Sequence, residues 1–377
     1  MNDTLFCGPR AIYETNGGAA EKIAELSKMH SIKSALIIAD HNVYKKFNEV
    51  FKNISTRLNI AVSRFEFCGE VCECERIRLL KATAELKSPA MLISAGGGKA
   101  MDIAKLLIYE SAKNRPLIVA LPTAPSTCAA FSAHSVLYSS CGACERTFKP
   151  AGSLDYAILD YKILCDIEPR LFSAGFADSA AKFIEARYIF EKENNNGKID
   201  TGAEIAFKIA RYVYDNALTH AERAYQAISK KKSDPALELL SRLFIVETGM
   251  VGLYGGLKCR AAIAHAICDT ISHFARRDGI YNLHGLRVGY GLMVQMAFEK
   301  RDEKEVLFLA ELFGKLNIPL SLKLFELEMD LSAAIDKITD GIYNPNSTIN
   351  SMPAIPGRDE IKKAFILTEE RFAKRYA

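Results

Sequence analysis

The sequence predicts an α/β domain followed by an all-helical one, and three observations carry that prediction. From residue 19 to about residue 160, short apolar runs alternate with amphipathic helical segments, the pattern of a parallel sheet covered on both faces. Beyond Asp160 the strand-like runs stop and long helical periodicities take over. A chain of 377 residues also exceeds one compact core of ordinary size, so two domains, 1–160 and 161–377, are expected.

The strands are read in order as Ser34–Ala39, Ile60–Phe67, Ala90–Ala95, Leu117–Leu121 and Tyr156–Leu159. Each is a short apolar run, and helical segments separate them. Ser135–Tyr138 reads as a further strand leading into a hairpin turn at Ser140-Cys141-Gly142-Ala143-Cys144. In the second half the helical periodicities cover Ser179–Glu191, Ile205–Lys230, Pro235–Tyr254 and Ala261–Ala275. The polar stretch Glu193–Lys198 and the turn-rich Tyr343–Ser347 read as exposed connections, and no fixed-period repeat is visible.

Composition narrows the function class. Apolar residues make up 49% and charged residues 25%, ordinary globular values, and a formal charge of +4 spread thinly gives no nucleic-acid footprint. Met1–Cys7 lacks a basic region followed by an apolar run, and nowhere do eighteen apolar residues follow one another, so no membrane role and a cytoplasmic location are expected. The ten cysteines are scattered rather than framework-like, which suits reduced thiols. Cys68, Cys72 and Cys74 cluster in one loop, and the Cys141/Cys144 pair reads as a surface turn, since a lone C-x-x-C cannot complete a tetrahedral zinc site.

The most informative stretch is Ser94-Ala95-Gly96-Gly97-Gly98-Lys99-Ala100-Met101-Asp102. A buried strand, a glycine turn and a helix follow one another, which aims unpaired N–H groups and the helix dipole at a phosphate. Lys99 would add a full charge. It matches neither a Walker loop nor G-x-G-x-x-G, and a plain tight turn is the alternative. Asp40, closing an apolar strand, stands where a carboxylate accepts ribose hydroxyls, and it equally suits the N-cap of the next helix. A ribose role would repel a 2′-phosphate, so NAD is favoured over NADP.

A second constellation suggests a divalent metal. Asp178, Lys182 and Glu185 share one helical face, as an ordinary solvated helix with surface ion pairs would also show. His265, flanked by small apolar residues, is expected to be buried, with a core hydrogen bond or a metal as its partner. In Leu283-His284-Gly285 the glycine is read as relieving crowding beside the ring. Asp178, His265 and His284 together would give three ligands and an open position, the catalytic pattern for zinc. His265, Asp269 and His273, at four-residue steps, form a competing set.

With these motifs in hand, the chain resembles the iron-containing, or type III, alcohol dehydrogenase superfamily and its glycerol dehydrogenase branch. The likeness runs from Gly8-Pro9 through Gly96–Lys105, Pro122-Thr123-Ala124-Pro125-Ser126-Thr127, Ala177-Asp178 and Ala264-His265-Ala266 to His284-Gly285. It implies a Rossmann-like nucleotide domain, a helical domain and an active site in the cleft between them, the architecture shared with dehydroquinate synthase. Carried over by motif, Asp178, His265 and His284 hold the metal, which zinc, iron or nickel would satisfy. Asp40, Gly97, Gly98, Lys99, Asp102, Thr123, Ser126, Ser132, His134 and Tyr138 surround the dinucleotide.

The departures from that branch are informative. Cys128, in Ser126-Thr127-Cys128-Ala129-Ala130, stands where the glycerol enzymes have an aspartate facing polyol and nicotinamide. The Thr-Cys-Ala-Ala string resembles the hydroxycarboxylate dehydrogenases, and a missing negative charge suits an anionic substrate. His134, Cys268 and Leu286 also depart from the branch and leave the three ligands untouched. The resemblance therefore implies hydride transfer between NAD(P) and a small alcohol or 2-hydroxy acid, with Cys128 at the catalytic centre. The alternatives are a glycerol, polyol or glycerol-1-phosphate dehydrogenase, a dehydroquinate-synthase-like lyase and a non-catalytic nucleotide binder. Oligomeric state stays open, a homo-oligomer being one option.

Overall fold

The computed structural model describes residues 8–110, 115–138, 144–148, 152–193, 201–259, 262–276 and 279–372. The chain divides into two compact units, Met1–Ile167 with Lys230–Gly249, and Glu168–Ser229 with Met250–Ala377.

In the first unit the elements follow as β1 (Ala11–Thr15), α1 (Ala19–Met29), β2 (Ser34–Asp40), α2 (His41–Lys46), α3 (Asn48–Leu58), β3 (Ala61–Phe67), α4 (Glu73–Ala84), β4 (Ala90–Gly96), α5 (Gly98–Glu110) and β5 (Leu117–Pro122). A hairpin, β6 (Ser135–Tyr138) and β7 (Cys144–Phe148), precedes β8 (Tyr156–Asp160) and α6 (Tyr161–Leu164). Six strands form one parallel sheet in the order β1-β8-β5-β4-β2-β3. The inner strands β2, β4, β5 and β8 are buried along almost their whole length, which is why they read as continuous apolar runs.

β1 was not among the expected strands. It lies at the sheet edge, is only half-buried, and its Ala-Ile-Tyr-Glu-Thr sequence has no apolar run to announce it. From β2 the chain moves outward to β3, then returns past β2 to β4 and continues the other way to β5. That reversal opens a crevice at the carboxyl ends of β2 and β4, the place where open α/β sheets take ligands. The expected hairpin is present, with Tyr138 opposite Cys144, whereas Cys141 lies outside the described residues. Residues 194–198 of the expected polar connection also lie outside them.

Lys230–Gly249 joins this unit through α9 (Pro235–Arg242). Arg242 pairs with Glu14, Lys231 reaches Asp166 at 3.0 Å, and Gly249 lies against the Phe131 ring. The single helix expected over Pro235–Tyr254 is interrupted by a π-helical turn, Leu243–Glu247, before α10 (Thr248–Gly255). Thr248 Oγ1 donates to the Leu243 carbonyl at 3.0 Å within that turn. Apolar periodicity continues across such a bulge, so sequence alone does not expose it.

The second unit is helical: α7 (Pro169–Glu193), α8 (Thr201–Ser229), α11 (Ile263–Ile271), α12 (His284–Phe298), α13 (Glu303–Lys315), α14 (Leu331–Gly341) and α15 (Arg358–Phe372). α7 starts ten residues before the expected Ser179, and α11 stops at Ile271 rather than at Ala275. One core gathers α11, α12, α14 and α15 around the fully buried Tyr290, whose hydroxyl donates to Glu369 at 2.8 Å. Among the described residues no helix is long and apolar enough to cross a membrane.

Candidate functional site

Within the second unit three helices bring one ligand-bearing residue each to a common point. Asp178 sits in the middle of α7, His265 in the first turn of α11 and His284 at the first position of α12. Their ligand atoms all lie within 4.8 Å of one another. His265 Nε2 is 3.3 Å and His284 Nε2 is 3.8 Å from Asp178 Oδ1. Asp178 and His265 are buried, whereas the His284 side chain is 38% exposed and gives the cluster an open side.

Glycine lets these helices meet. A Cβ built on Gly285 would stand 1.9 Å from the Ala174 carbonyl oxygen of α7, and one on Gly291 would stand 2.6 Å from the Ala264 carbonyl oxygen of α11. α12 therefore touches the backbones of both partner helices, and His284 is carried to Asp178. The sequence reading assigned Gly285 to crowding beside the His284 ring. The structure corrects this: the crowding is against the backbone of α7.

Two partners orient His265. Glu185 Oε2 lies 2.6 Å from His265 Nδ1, and Glu185 Oε1 accepts the backbone N–H groups of Ala262 at 2.7 Å and His265 at 3.1 Å. Glu185 holds the proton on Nδ1, so the Nε2 position, which shares a proton with Asp178 in the metal-free protein, would offer its lone pair to a cation once that proton is lost, the arrangement of a carboxylate-supported metal histidine. Lys182 Nζ lies 3.0 Å from Asp178 Oδ1 and 3.1 Å from His265 Nε2. Cys268 Sγ is 3.3 Å from His284 Nδ1 and supports the second ring. Lys182 and Glu185 are 5% and 0% exposed, so the surface ion-pair reading of that helix face is set aside.

The electrostatics prepare two of the candidate ligands and leave one in competition with protons. Burial by itself would raise the Asp178 carboxyl's pKa, yet the Lys182 charge, the hydrogen bond from His265 and the nearby His284 hold it well below the usual carboxylate range. Desolvation of the inward part of this partly exposed ring, together with the nearby His265, Arg287 and Lys182, lowers the His284 pKa to about 3 against the opposing pull of Asp178, so the ring is neutral at pH 7. For His265, burial pulls down, but Glu185 and Asp178 outweigh it and raise the pKa above 6.5. One carboxylate oxygen and two imidazole nitrogens at this spacing fit a divalent cation. The competing set does not assemble: among the described residues Asp269 instead joins Cys268 and His284 in a second possible group, without His273.

In the first unit, the candidate dinucleotide residues collect along one sheet edge. The register pairs Ile38 with Ser94 and Gly96 with Pro122, so Asp40, the glycine turn and Thr123 follow at neighbouring carboxyl ends. Gly96 has φ +150°, and a Cβ there would meet Ala100 Cβ at 2.6 Å. A Cβ on Gly98 would lie 3.0 Å from Thr127 Oγ1, and one on Gly97 3.8 Å from Ser126 Oγ, so the Pro122–Thr127 loop packs on the turn. Thr123 N–H donates to the Gly96 carbonyl at 3.0 Å.

The remaining candidates divide by what their side chains already hold. Asp40 caps α2 by accepting the Val43 N–H at 3.0 Å and remains half-buried at the crevice. Lys99 Nζ contacts Glu70 at 2.9 Å. Asp102 is buried in scaffolding: one oxygen accepts Lys105 Nζ at 2.9 Å, the other accepts the Val136 N–H at 3.1 Å, and β6 is held to α5. Burial raises its carboxyl pKa even against Lys105. The Cys128 carbonyl accepts the Ser132 N–H at 2.9 Å, and Ser132 Oγ is 3.3 Å from His134 Nδ1, so these three form one turn. Tyr138 lies in β6 opposite Cys144.

Comparison with known proteins agrees with the motifs. The family model described as iron-containing alcohol dehydrogenase matches residues 9–161. A glycerol dehydrogenase of Pseudomonas putida is 26% identical over 337 residues, covering 89% of this chain and 90% of that protein. Hydroxycarboxylate dehydrogenase A of Escherichia coli strain K12 is 26% identical over 304 residues, covering 79% and 80%. The crystal structure of a probable glycerol dehydrogenase from Sinorhizobium meliloti 1021 superposes with a TM-score of 0.83 at 24% identity, covering 100% of both chains.

Proposed function

We infer that this chain, an oxidoreductase related to the iron-containing alcohol dehydrogenases, is a metal-dependent enzyme that transfers hydride between NAD and a small 2-hydroxy acid. The observation that carries this reading is the convergence of Asp178, His265 and His284, with Glu185 fixing the His265 tautomer. A divalent cation held by these three would supply Lewis acidity, making a substrate hydroxyl easier to ionise or a carbonyl easier to reduce. Asp178 brings the negative charge, His284 stays neutral at working pH, and His265 presents its Nε2 lone pair. In the first unit the glycine turn, Lys99, Thr123 and Ser126 are the residues we assign to the pyrophosphate, and Asp40 to the ribose.

Cys128 supports the acid over a neutral polyol, because a thiol brings no charged acceptor for a vicinal diol and no repulsion of a carboxylate. A polyol substrate is the second reading, favoured by the glycerol dehydrogenase names among the relatives. Turnover of 2-oxobutyrate, glycerol and glycerol 1-phosphate with NAD and NADP cofactors decides between them. Preference for 2-oxobutyrate with NADH is expected, and preference for glycerol would overturn the acid assignment. NADH consumed mole for mole with substrate separates this from a lyase that regenerates its cofactor.

A further inference from the structure

The metal cluster carries a cation of its own. Lys182 lies one turn beyond Asp178 on α7, 5% exposed, with Nζ 3.0 Å from Asp178 Oδ1 and 3.1 Å from His265 Nε2. Those two atoms are also the ones a metal would use, so metal and ammonium share acceptors. Of the carboxylates nearby, buried Glu185 is already engaged by His265 and two backbone N–H groups, and half-buried Asp269 is offset by the positive charge of Arg287 while also facing His265. A divalent cation added beside Lys182 leaves Asp178 and Glu185 outweighed by positive charge. A buried charge in that condition requires an anion or costs binding energy.

We propose that Lys182 selects an anionic substrate, its ammonium pairing the carboxylate of the 2-oxo or 2-hydroxy acid. The proposal rests on Asp178, His265 and His284 holding a divalent cation. Metal binding claims electron pairs on Asp178 and His265 that Lys182 now uses, and a substrate carboxylate replaces them with two charged acceptors. In a 2-oxo acid the carboxylate is bonded directly to the carbonyl carbon, so both groups fall within reach of one small cluster. A neutral polyol offers only hydroxyls and leaves the excess charge in place.

The test compares the full-length wild type with Lys182→Met, Lys182→Gln and Lys182→Arg. Zinc titration calorimetry on metal-free protein comes first. Met and Gln remove a like charge and a competitor for the ligand electron pairs, so both bind zinc more tightly than wild type. Steady-state reduction then uses 2-oxobutyrate and its neutral amide, 2-oxobutanamide. In the Met and Gln variants KM for the acid rises about tenfold or more, the size of a charge-assisted hydrogen bond, while KM for the amide moves less than about threefold. Arg keeps the preference for the acid. Equal changes for acid and amide, or no change in either, with zinc binding intact, overturn the Lys182 assignment alone. A wild-type protein that binds no zinc or other divalent ion overturns the metal reading and this proposal with it.

Discussion

Replacing Gly285 by alanine tests how the cluster of Asp178, His265 and His284 is assembled. The added Cβ would lie 1.9 Å from the Ala174 carbonyl oxygen, 2.5 Å from its carbon and 2.8 Å from its Cα, all backbone atoms that no side-chain rotation can move. Relief requires α12 and α7 to part by roughly 1 Å at this point, where overpacking costs about 1–3 kcal/mol. The opening falls between His284 and Asp178, already 3.8 Å apart at their nearest ligand atoms. Zinc affinity should fall by at least about tenfold, because ligand sets tolerate misplacement of only about 0.2 Å. The melting temperature should fall by about 2–4 °C per kcal/mol for a unit of this size. Gly314→Ala is the control: a Cβ there meets nothing within 4 Å, and the change should be neutral or mildly stabilising. Calorimetric zinc titration and differential scanning calorimetry read both effects. Unchanged zinc affinity and melting temperature in Gly285→Ala would refute close helix approach as the device that builds the cluster.

Further outcomes follow from the same geometry. Glu185→Gln removes the charged acceptor of His265 Nδ1–H and should weaken zinc binding about 10–100-fold with the helical circular dichroism retained; an unchanged dissociation constant counts against the tautomer argument. His265→Ala should lose metal and turnover while keeping its fold, and full turnover by demetallated wild type would contradict the mechanism. Because the His265 pKa is raised above 6.5, a proton competes with metal below that raised value, and zinc affinity should climb with pH until it is passed. His284, at about 3, adds no second proton near pH 5–6, so affinity should change about tenfold per pH unit there; a hundredfold change would refute the assignment. In the metal-free protein the signs differ. The raised His265 contributes stability below pH 6.5 that is lost as pH rises through its folded pKa, and the lowered His284 contributes stability above pH 6.5 that is lost on acidification towards about 3. Gly96→Ala, strained at φ +150° and 2.6 Å from Ala100, should weaken NAD binding measured by fluorescence titration without altering zinc affinity.

The inner strands were legible because burial on both faces leaves a local apolar run, and the glycine turn was legible because strand, glycines and helix are contiguous. β1 left no such run at its half-buried edge, and the π-helical turn after α9 kept the apolar spacing of the helix it interrupts. Asp178, His265 and His284 were proposed from residue type and flanking sequence and chosen over His265, Asp269 and His273 by the family resemblance, and the structure brings the three together. Asp102 was read with the glycine motif beside it, although its oxygens are held by Lys105 and Val136.

Residue chemistry and local periodicity thus determined the two-part α/β and helical plan and the phosphate-like turn, and together with the family resemblance singled out the three residues that meet as candidate ligands. Tertiary packing decided what those ligands touch. Lys182 and His265 are 83 positions apart in the chain yet 3.1 Å apart in space, and Glu185 reaches His265 across 80 positions. Helical spacing placed Lys182 and Glu185 on one face of α7 but could not say whether that face met water or α11. Packing against the start of α11 buried it, turning an ordinary charged stripe into the support of a candidate metal site, and Gly285 and Gly291 let α12 close on both helices.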